Sequence, residues 1–423
     1  MKFKIFSLGC KVNSYECNAV ASALKCAGYE EDNNNPDVVI VNTCSVTATA
    51  DQKSRQHIRK FQKLYPSAIT VVMGCYAQGN AEFIDKEIQP TILIGTSNRN
   101  RIVELIEQYQ KTHERIVLID ENTRDFKYEE LGVTSCSENI RAYLKIQDGC
   151  NNFCSYCIIP YRRGKMRSRN KQEVLEEARY LVEKGYKEIV LTGIHVGGYG
   201  QDLETDSFSN LVSDLLDIKG LESLRISSIE ESEIDDDLIK LISTRKNIAH
   251  HLHIPLQAGS NDVLRRMNRK YTKEQFIEKI QKIRKALPNI AISTDIIVGF
   301  PGETDEDFTD TINVAKTCFD MIHVFPFSAR SGTGAARMKD QISPQIKSKR
   351  VDTLISLSKE LWDKYTSKFI GQEISVLIER FDEEKSLNIG HTSNYLEVAI
   401  PSKNAQIGEY VSVTLTKDMI ISK

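Results

Sequence analysis

The sequence predicts an α/β fold in three units. These are an N-terminal doubly wound parallel sheet over residues 1–130, a central partial TIM-type barrel of six βα units over 136–370, and a small antiparallel β-barrel over 371–423. Three observations carry this reading. Apolar strand-like runs alternate with helical patterns in two successive series, a polar stretch divides the series, and near Gly371 the pattern changes to short alternating runs bounded by Gly, Asn and Pro.

In the first series "FKIFSL" leads to a helix from about Ser14 to Ala27 and "VVIV" to one from about Thr47 to Leu64. "ITVVM" leads to a short helix near Ala81 to Ile88, and "TILI" to one from Asn98 to Gln110. Strand-to-strand connections that carry a helix belong to parallel sheets. The segment "DENTRDFKYEELGVTSCSEN", Asp120 to Asn139, is polar and weakly periodic, as a linker would be. The second series runs through "AYLKIQ", "EIVLTG", "LRISSI", "HLHIPL", "AISTDIIVG" and "MIHVFPF", with helices between such as Lys273 to Leu287. Six units fall short of the eight that close a full barrel. A charged helical segment, about Pro344 to Phe369, precedes "EISVLIER", "YLEVAI" and "YVSVTL", which read as strands of the terminal β-barrel.

At 423 residues the chain exceeds one ordinary core, and its 40% hydrophobic and 27% charged residues are those of soluble globular proteins. No run approaches the roughly 18 apolar residues of a membrane helix, and "MKFKIFSLGC" has too brief an apolar run for a signal peptide. A cytoplasmic protein without membrane contact is expected. In that reducing compartment its ten cysteines are ligands, nucleophiles or small core residues rather than disulfides. The net charge of −2 argues against a chain dominated by phosphate binding, so any nucleic-acid surface must be local.

Cysteine placement is the most informative feature. Cys150, Cys154 and Cys157 stand at C-x3-C-x2-C in "DGCNNFCSYCIIPYRRGK". On a helix they would share one face as core residues, but Gly149, the Asn151–Asn152 pair and Pro160 disfavour a helix there. A structural zinc site would need a fourth ligand, for which Cys136 is the nearest candidate. A cubane iron–sulfur cluster held by three thiolates leaves one iron open to a chelating ligand.

A second trio is spread over the first series. Cys10, Cys44 and Cys75 each follow the carboxyl end of a predicted strand, where open α/β sheets bind ligands. Cys17, Cys26 and Cys318 fall in helical patterns, and Cys136 in the linker.

"CNNFCSYC" opening a six-unit βα series resembles the radical S-adenosylmethionine superfamily. The whole layout resembles its methylthiotransferases, whose C-terminal unit is a TRAM barrel. "HLHIPLQAGSNDVLRRMNRKYT" and "DIIVGFPGET" are similar to family signatures, and "LGCKVNSYE" resembles the branch of tRNA enzymes that modify threonylcarbamoyladenosine beside the anticodon. The resemblance implies two [4Fe-4S] clusters, one on Cys150, Cys154 and Cys157 that generates a radical and one on Cys10, Cys44 and Cys75 that carries the sulfur. It implies S-adenosyl-L-methionine as cofactor, with Thr192 and Gly193 at its methionine part, Glu230 at the ribose and the Gly299 region at the adenine. It further implies a tRNA anticodon loop as substrate, a low-potential electron donor such as flavodoxin or ferredoxin, and a sulfur donor. The family also includes enzymes acting on isopentenyladenosine or on a ribosomal-protein aspartate. Two departures stand out: Glu231 replaces the proline that often follows the family's Glu, and "SARSGTGAARM" lacks the prolines usual beside Gly-Thr.

RNA contact is expected from "YRRGKMRSRNK", with Arg162, Arg163, Lys165, Arg167, Arg169 and Lys171, and from Lys53, Arg55, Arg59, Lys60 and Lys63. From Gly371 to Lys423 there are five Lys or Arg against eight Asp or Glu, so charge does not mark that unit as an RNA binder. A zinc-stabilised RNA-binding protein with purely structural cysteines is the reading of a different class.

Overall fold

The computed structural model describes residues 1–132, 140–401 and 405–421, so Cys136 lies outside the described residues. The first unit is a six-stranded, wholly parallel sheet. Its order is Glu30–Glu31, Lys2–Ser7, Val38–Thr43, Ile69–Gly74, Ile92–Ile94 and Ile116–Leu118. The two central strands are buried at every position, and their Val and Ile residues suit a surface covered on both faces. Helices Lys11–Cys26 and Ile102–Thr112 pack on one face through Leu24, Ile102 and Leu105, and helix Ala48–Leu64 packs on the other through Ile58 and Phe61. Chain direction across the sheet reverses between Lys2–Ser7 and Val38–Thr43, which makes the crevice beyond their carboxyl ends the topological switch point.

Six parallel strands form the second unit in two three-stranded sheets. Arg141–Lys145, Glu188–Thr192 and Ser223–Ile226 make one, and His251–His253, Ala291–Val298 and Met321–Pro326 the other. A single parallel bridge, Leu224 to Ile248, joins them into an open arc backed by one continuous core. The first unit lies against the open side: Tyr15 and Glu16 of its first helix meet Glu177 and Lys145 at 3.1 Å each.

The described part of the segment expected as a linker, residues 120–132, is packed rather than detached. The Tyr128 hydroxyl donates to the Lys145 carbonyl at 2.9 Å, Glu129 holds Arg99 and Glu130 holds Arg169. Its polarity reflects an ion-paired seam between units, which local periodicity cannot distinguish from a solvated loop.

Helix Pro344–Ser367 leads to a four-stranded antiparallel sheet, ordered Glu397–Ile400, Leu387–Thr392, Glu373–Asp382 and Tyr410–Thr414. A bridge from Val398 to Ile420 adds a further pairing. The strand Leu387–Thr392 escapes a reading by sequence because "LNIGHT" has a central Gly and little alternation. No helix among the described residues is long and apolar enough to cross a membrane.

Candidate active site

Strand register brings the first cysteine trio together. Ser7 pairs with Asn42 and Thr43 with Gly74, so Cys10, Cys44 and Cys75 leave three adjacent strands at one level. Asn13 Nδ2 donates to the Leu8 carbonyl at 2.6 Å and the Thr43 carbonyl at 3.2 Å, tying the first strand end to the second. Thr43 Oγ1 donates to the Met73 carbonyl at 2.6 Å and accepts from the Ala77 N–H at 3.1 Å, tying the second to the third. Gly9, in the left-handed region at φ 106°, has to be glycine, since a Cβ there would stand 2.7 Å from Cys44 Sγ.

Beneath this trio is a buried knot of charge that crosses both units. Arg163, fully buried, donates from Nε to Cys75 Sγ at 3.2 Å, from Nη1 to Glu16 at 2.8 Å and Asp148 at 3.2 Å, and from Nη2 to Asn13 at 3.1 Å. Arg99 also pairs with Glu16 and lies 2.7 Å from Glu129, Lys145 reaches Asp148 at 2.6 Å, and Arg167 reaches Asp148 at 3.3 Å. Among the described residues four cations thus face three carboxylates, and Cys75, whose thiol burial pushes up despite the nearby Arg163, would supply a fourth negative charge on losing its proton. Burial raises the cost of ionising Glu16 and Asp148, but the surrounding cations overcome it and hold both well below the usual carboxylate range.

The second trio sits on a loop with no helix between Gly149 and Ile158, which removes the helix-face reading. Gly149 is left-handed at φ 73° and leaves no room for a side chain against the Lys165 carbonyl. The loop is held from the barrel: Ser155 Oγ donates to the Arg266 carbonyl at 2.8 Å, and Asn268 Nδ2 to the Phe153 carbonyl at 2.9 Å. Arg269 Nη1 lies 3.4 Å from Cys154 Sγ, while its Nη2 pairs with Glu230. His195 Nε2 is 2.5 Å from Glu233. Burial disfavours its imidazolium, but Cys150 and Glu233 outweigh that and push it up to about 10.

Burial pushes the Cys44 thiol up to about 11 and the Cys157 thiol up to about 12, so a metal group bound by either thiol would have to displace its proton. Among the described residues no three His, Cys, Asp or Glu side chains close on one ion. Each trio offers three sulfur donors, a set that suits an iron–sulfur group with one position open.

Two cavities flank the loop. One of about 320 Å³ is lined by Cys154, His195, Glu230, Glu233 and Arg269. The other, about 230 Å³, has Cys157 on one wall and Val46 and Thr47, just after Cys44, on another. Arg330, on the loop that lacks the expected prolines, also lines it and donates to Ser45 Oγ at 2.8 Å.

Of the four residues expected at the cofactor, Glu230 alone lines either cavity. Thr192 ends its strand with a buried side chain, and a Cβ on Gly193 would sit 3.0 Å from Gln147 Oε1. Gly299, left-handed at φ 70°, donates its N–H to Glu303 at 2.5 Å.

The basic stretch after the loop is corrected at three of its six cations, while Lys165 stays exposed and Arg162 and Lys171 half-buried. Arg163, Arg167 and Arg169 are buried and ion-paired, with Arg169 on Glu177 and Glu130, so they hold the units together instead of facing RNA. Lys53, Arg59, Lys60 and Lys63 remain exposed. Glu16 and Asn13, which lie in the quoted "KVNSYE", carry the knot without any sequence signal beyond that motif, and Arg269 likewise emerges only from the geometry.

Residues 2–95 match the model described as uncharacterized protein family UPF0004, 144–315 that of the Radical SAM superfamily, and 367–419 that of the TRAM domain. The threonylcarbamoyladenosine tRNA methylthiotransferase MtaB of Bacillus subtilis (strain 168) is 44% identical over 418 residues, covering 97% of this chain and 93% of that protein. The MtaB of Aquifex aeolicus (strain VF5) is 35% identical, covering 94% and 96%. A tRNA-2-methylthio-N(6)-dimethylallyladenosine synthase of Thermoanaerobacter pseudethanolicus is 37% identical, covering 98% and 90%. Among solved structures, the radical S-adenosylmethionine methyltransferase TsrM of Kitasatospora setae aligns at TM-score 0.56 and 13% identity over 77% of this chain and 74% of its own, a likeness of fold. With nearly its full length matched and its three family models in order, the chain belongs to the radical S-adenosylmethionine methylthiotransferase family, on its MtaB-like branch.

Proposed function

We propose that the enzyme methylthiolates carbon 2 of N6-threonylcarbamoyladenosine at position 37 of tRNA, using two S-adenosylmethionine molecules and two [4Fe-4S] clusters. The observation that carries this reading is the cavity with Cys157 on one wall and Val46 and Thr47, the second and third residues after Cys44, on another, which would seat a bound base between the second trio and the strand end that bears one cysteine of the first. The relatives named for threonylcarbamoyladenosine support the substrate, and the TRAM match supports tRNA as partner.

Cys150, Cys154 and Cys157 would hold one cluster, and Cys10, Cys44 and Cys75 the other. When bound, these groups supply reducing electrons for cleaving a carbon–sulfur bond of S-adenosylmethionine and an open iron for the transferred sulfur. Arg269 orients Glu230 and touches Cys154, so one guanidinium fixes both a cavity wall and a thiolate. Arg163 places positive charge beside Cys75 and offsets part of the burial that otherwise raises its thiol, so deprotonation for a cluster would be eased there. Glu230 is assigned to the ribose of the cofactor, Thr192 and Gly193 to its methionine part and the Gly299 region to its adenine. The units are 1–130, 136–370 and 371–423. The enzyme would work in the cytoplasm, where thiolate ligands stay reduced, with a low-potential electron donor and a sulfur donor as partners.

Mass spectrometry of tRNA nucleosides from a host lacking the modification, with and without the gene, tests this. Methylthio-threonylcarbamoyladenosine appearing only with the gene is expected. Methylthio-isopentenyladenosine alone would keep the chemistry and overturn the substrate; neither product, from a chain carrying both clusters, would overturn tRNA as substrate.

A further inference from the structure

Inside the open barrel lies a third cavity of about 180 Å³. Lys11 enters it from the first unit, Arg225, His251, His253 and His323 from the barrel, and Tyr395 from the C-terminal unit. Ser293 Oγ stands 2.9 Å from both His251 Nε2 and His253 Nδ1. His253 Nε2 is 3.3 Å from Asp295, and Asp295 lines the cavity that reaches Cys157, so the two cavities adjoin through this pair. The C-terminal unit closes the far side: the Tyr395 ring stacks on His251 at 4.7 Å and lies 5.2 Å from the Arg225 guanidinium, which also bonds the Thr392 and Ser393 carbonyls.

Charge decides what this space favours. Arg225 is matched by Glu188 at 3.0 Å, Arg141 by Glu188 at 2.5 Å and by Glu379, and His391 by Glu379 at 2.9 Å. Lys11 makes no ion pair among the described residues, and its accessible surface is that of a side chain standing in an open cavity. An ammonium with no ion-pair partner, beside hydroxyl and imidazole groups and near the Arg225 and Arg141 guanidiniums, favours an anion that also offers hydrogen-bonding atoms. It disfavours a purely apolar group, which would strip water from the charge without replacing it.

Resting on the function proposed above, we propose that this cavity is the specificity pocket for the substituent on N6 of the target adenine. Lys11 pairs with the threonyl carboxylate, while Ser293 and its two histidines meet the hydroxyl and carbamoyl groups. A dimethylallyl substituent would leave Lys11 stranded, so the residue after Cys10 selects between the two substrates for which the relatives are named. The C-terminal unit, through Tyr395, then takes part in choosing the nucleoside.

The test uses the cluster-loaded full-length enzyme and three anticodon stem-loops, bearing threonylcarbamoyladenosine, its carboxyl methyl ester, or dimethylallyladenosine. Wild type should prefer the acid to the ester by on the order of 100-fold in kcat/KM, the cost of leaving one partner of a buried charge pair unpaired. Lys11→Met should lose that preference, with the change mainly in KM and with iron content intact, and Lys11→Arg should recover part of it. Equal losses on acid and ester in Lys11→Met would overturn the pocket while leaving the reaction standing. Wild type that modifies the dimethylallyl stem-loop and not the threonylcarbamoyl one would overturn both readings.

Discussion

The two cysteine trios reach similar donor sets by opposite routes. Cys150, Cys154 and Cys157 are neighbours on one loop, held by hydrogen bonds exchanged with Arg266 and Asn268. Cys10, Cys44 and Cys75 come from three strands, are brought to one level by the register of the sheet, and meet Arg163 of the second unit at Cys75. A local loop can present ligands on its own; a cage of strand ends depends on the whole fold and should respond to changes far from sulfur.

The largest effects separate the trios by chemistry. Cys44→Ala should abolish methylthiolated product while sparing some cleavage of S-adenosylmethionine, and Cys154→Ala should abolish both. Each product loss should exceed the roughly 100-fold typical of disturbing an outer-shell partner of a metal ligand. Product and 5′-deoxyadenosine measured together decide it, and product from Cys44→Ala would show that the division of labour is wrong.

Next comes the knot. Arg163→Met leaves Glu16, Asp148 and Cys75 buried with one guanidinium fewer, and removing one partner of a buried pair costs about 3–5 kcal/mol. A lower denaturation midpoint and an iron count reduced by one cluster's share are expected. Unchanged iron with unchanged stability would show that the strand-end cage does not depend on the second unit.

A smaller effect follows pH. Burial and the neighbouring Glu230 push the Glu231 carboxyl up to about 7. Between its ordinary value near 4.5 and 7 the folded chain keeps a proton that the unfolded chain has lost, so this residue lowers stability as pH rises through that window. Glu231→Gln should be more stable than wild type above pH 7 by on the order of 2 kcal/mol, with the difference vanishing towards pH 4.5. Denaturant titrations at the two ends of the range measure it, and a pH-independent difference would sink the explanation.

The smallest effect concerns the surface of helix Ala48–Leu64. Arg59→Ala and Lys60→Ala should weaken tRNA binding slightly and flatten its salt dependence by roughly 0.7–0.9 in log–log slope for each phosphate no longer neutralised. An unchanged slope would leave these residues as a solvated helix face.

What the sequence makes legible follows the same division. The loop trio is visible in its spacing, and the strand-end trio in the alternation of apolar runs and helices, because both signals are local. Arg163 reads as an RNA contact because its partners Glu16 and Cys75 lie 147 and 88 residues away, and a run of arginines looks the same whether it meets phosphates or buried carboxylates. The strand Leu387–Thr392 is hidden because its pairing with Glu373–Asp382, not its composition, makes it a strand. Lys11 stands in the motif that sets the branch, yet its place in a cavity built by three units comes only from the assembled chain.

The Glu16–Arg163 contact also imposes a timetable on biosynthesis. The ribosome releases Cys10, Cys44 and Cys75 well before residue 163, and until the second unit follows, Glu16 has Arg99 as its only cation from the knot. Iron delivered to the nascent chain would meet an unfinished cage. The strand-end trio thus gains its Arg163 partner only once the loop bearing the second trio has left the ribosome, while that loop is held by Arg266 and Asn268 of its own unit.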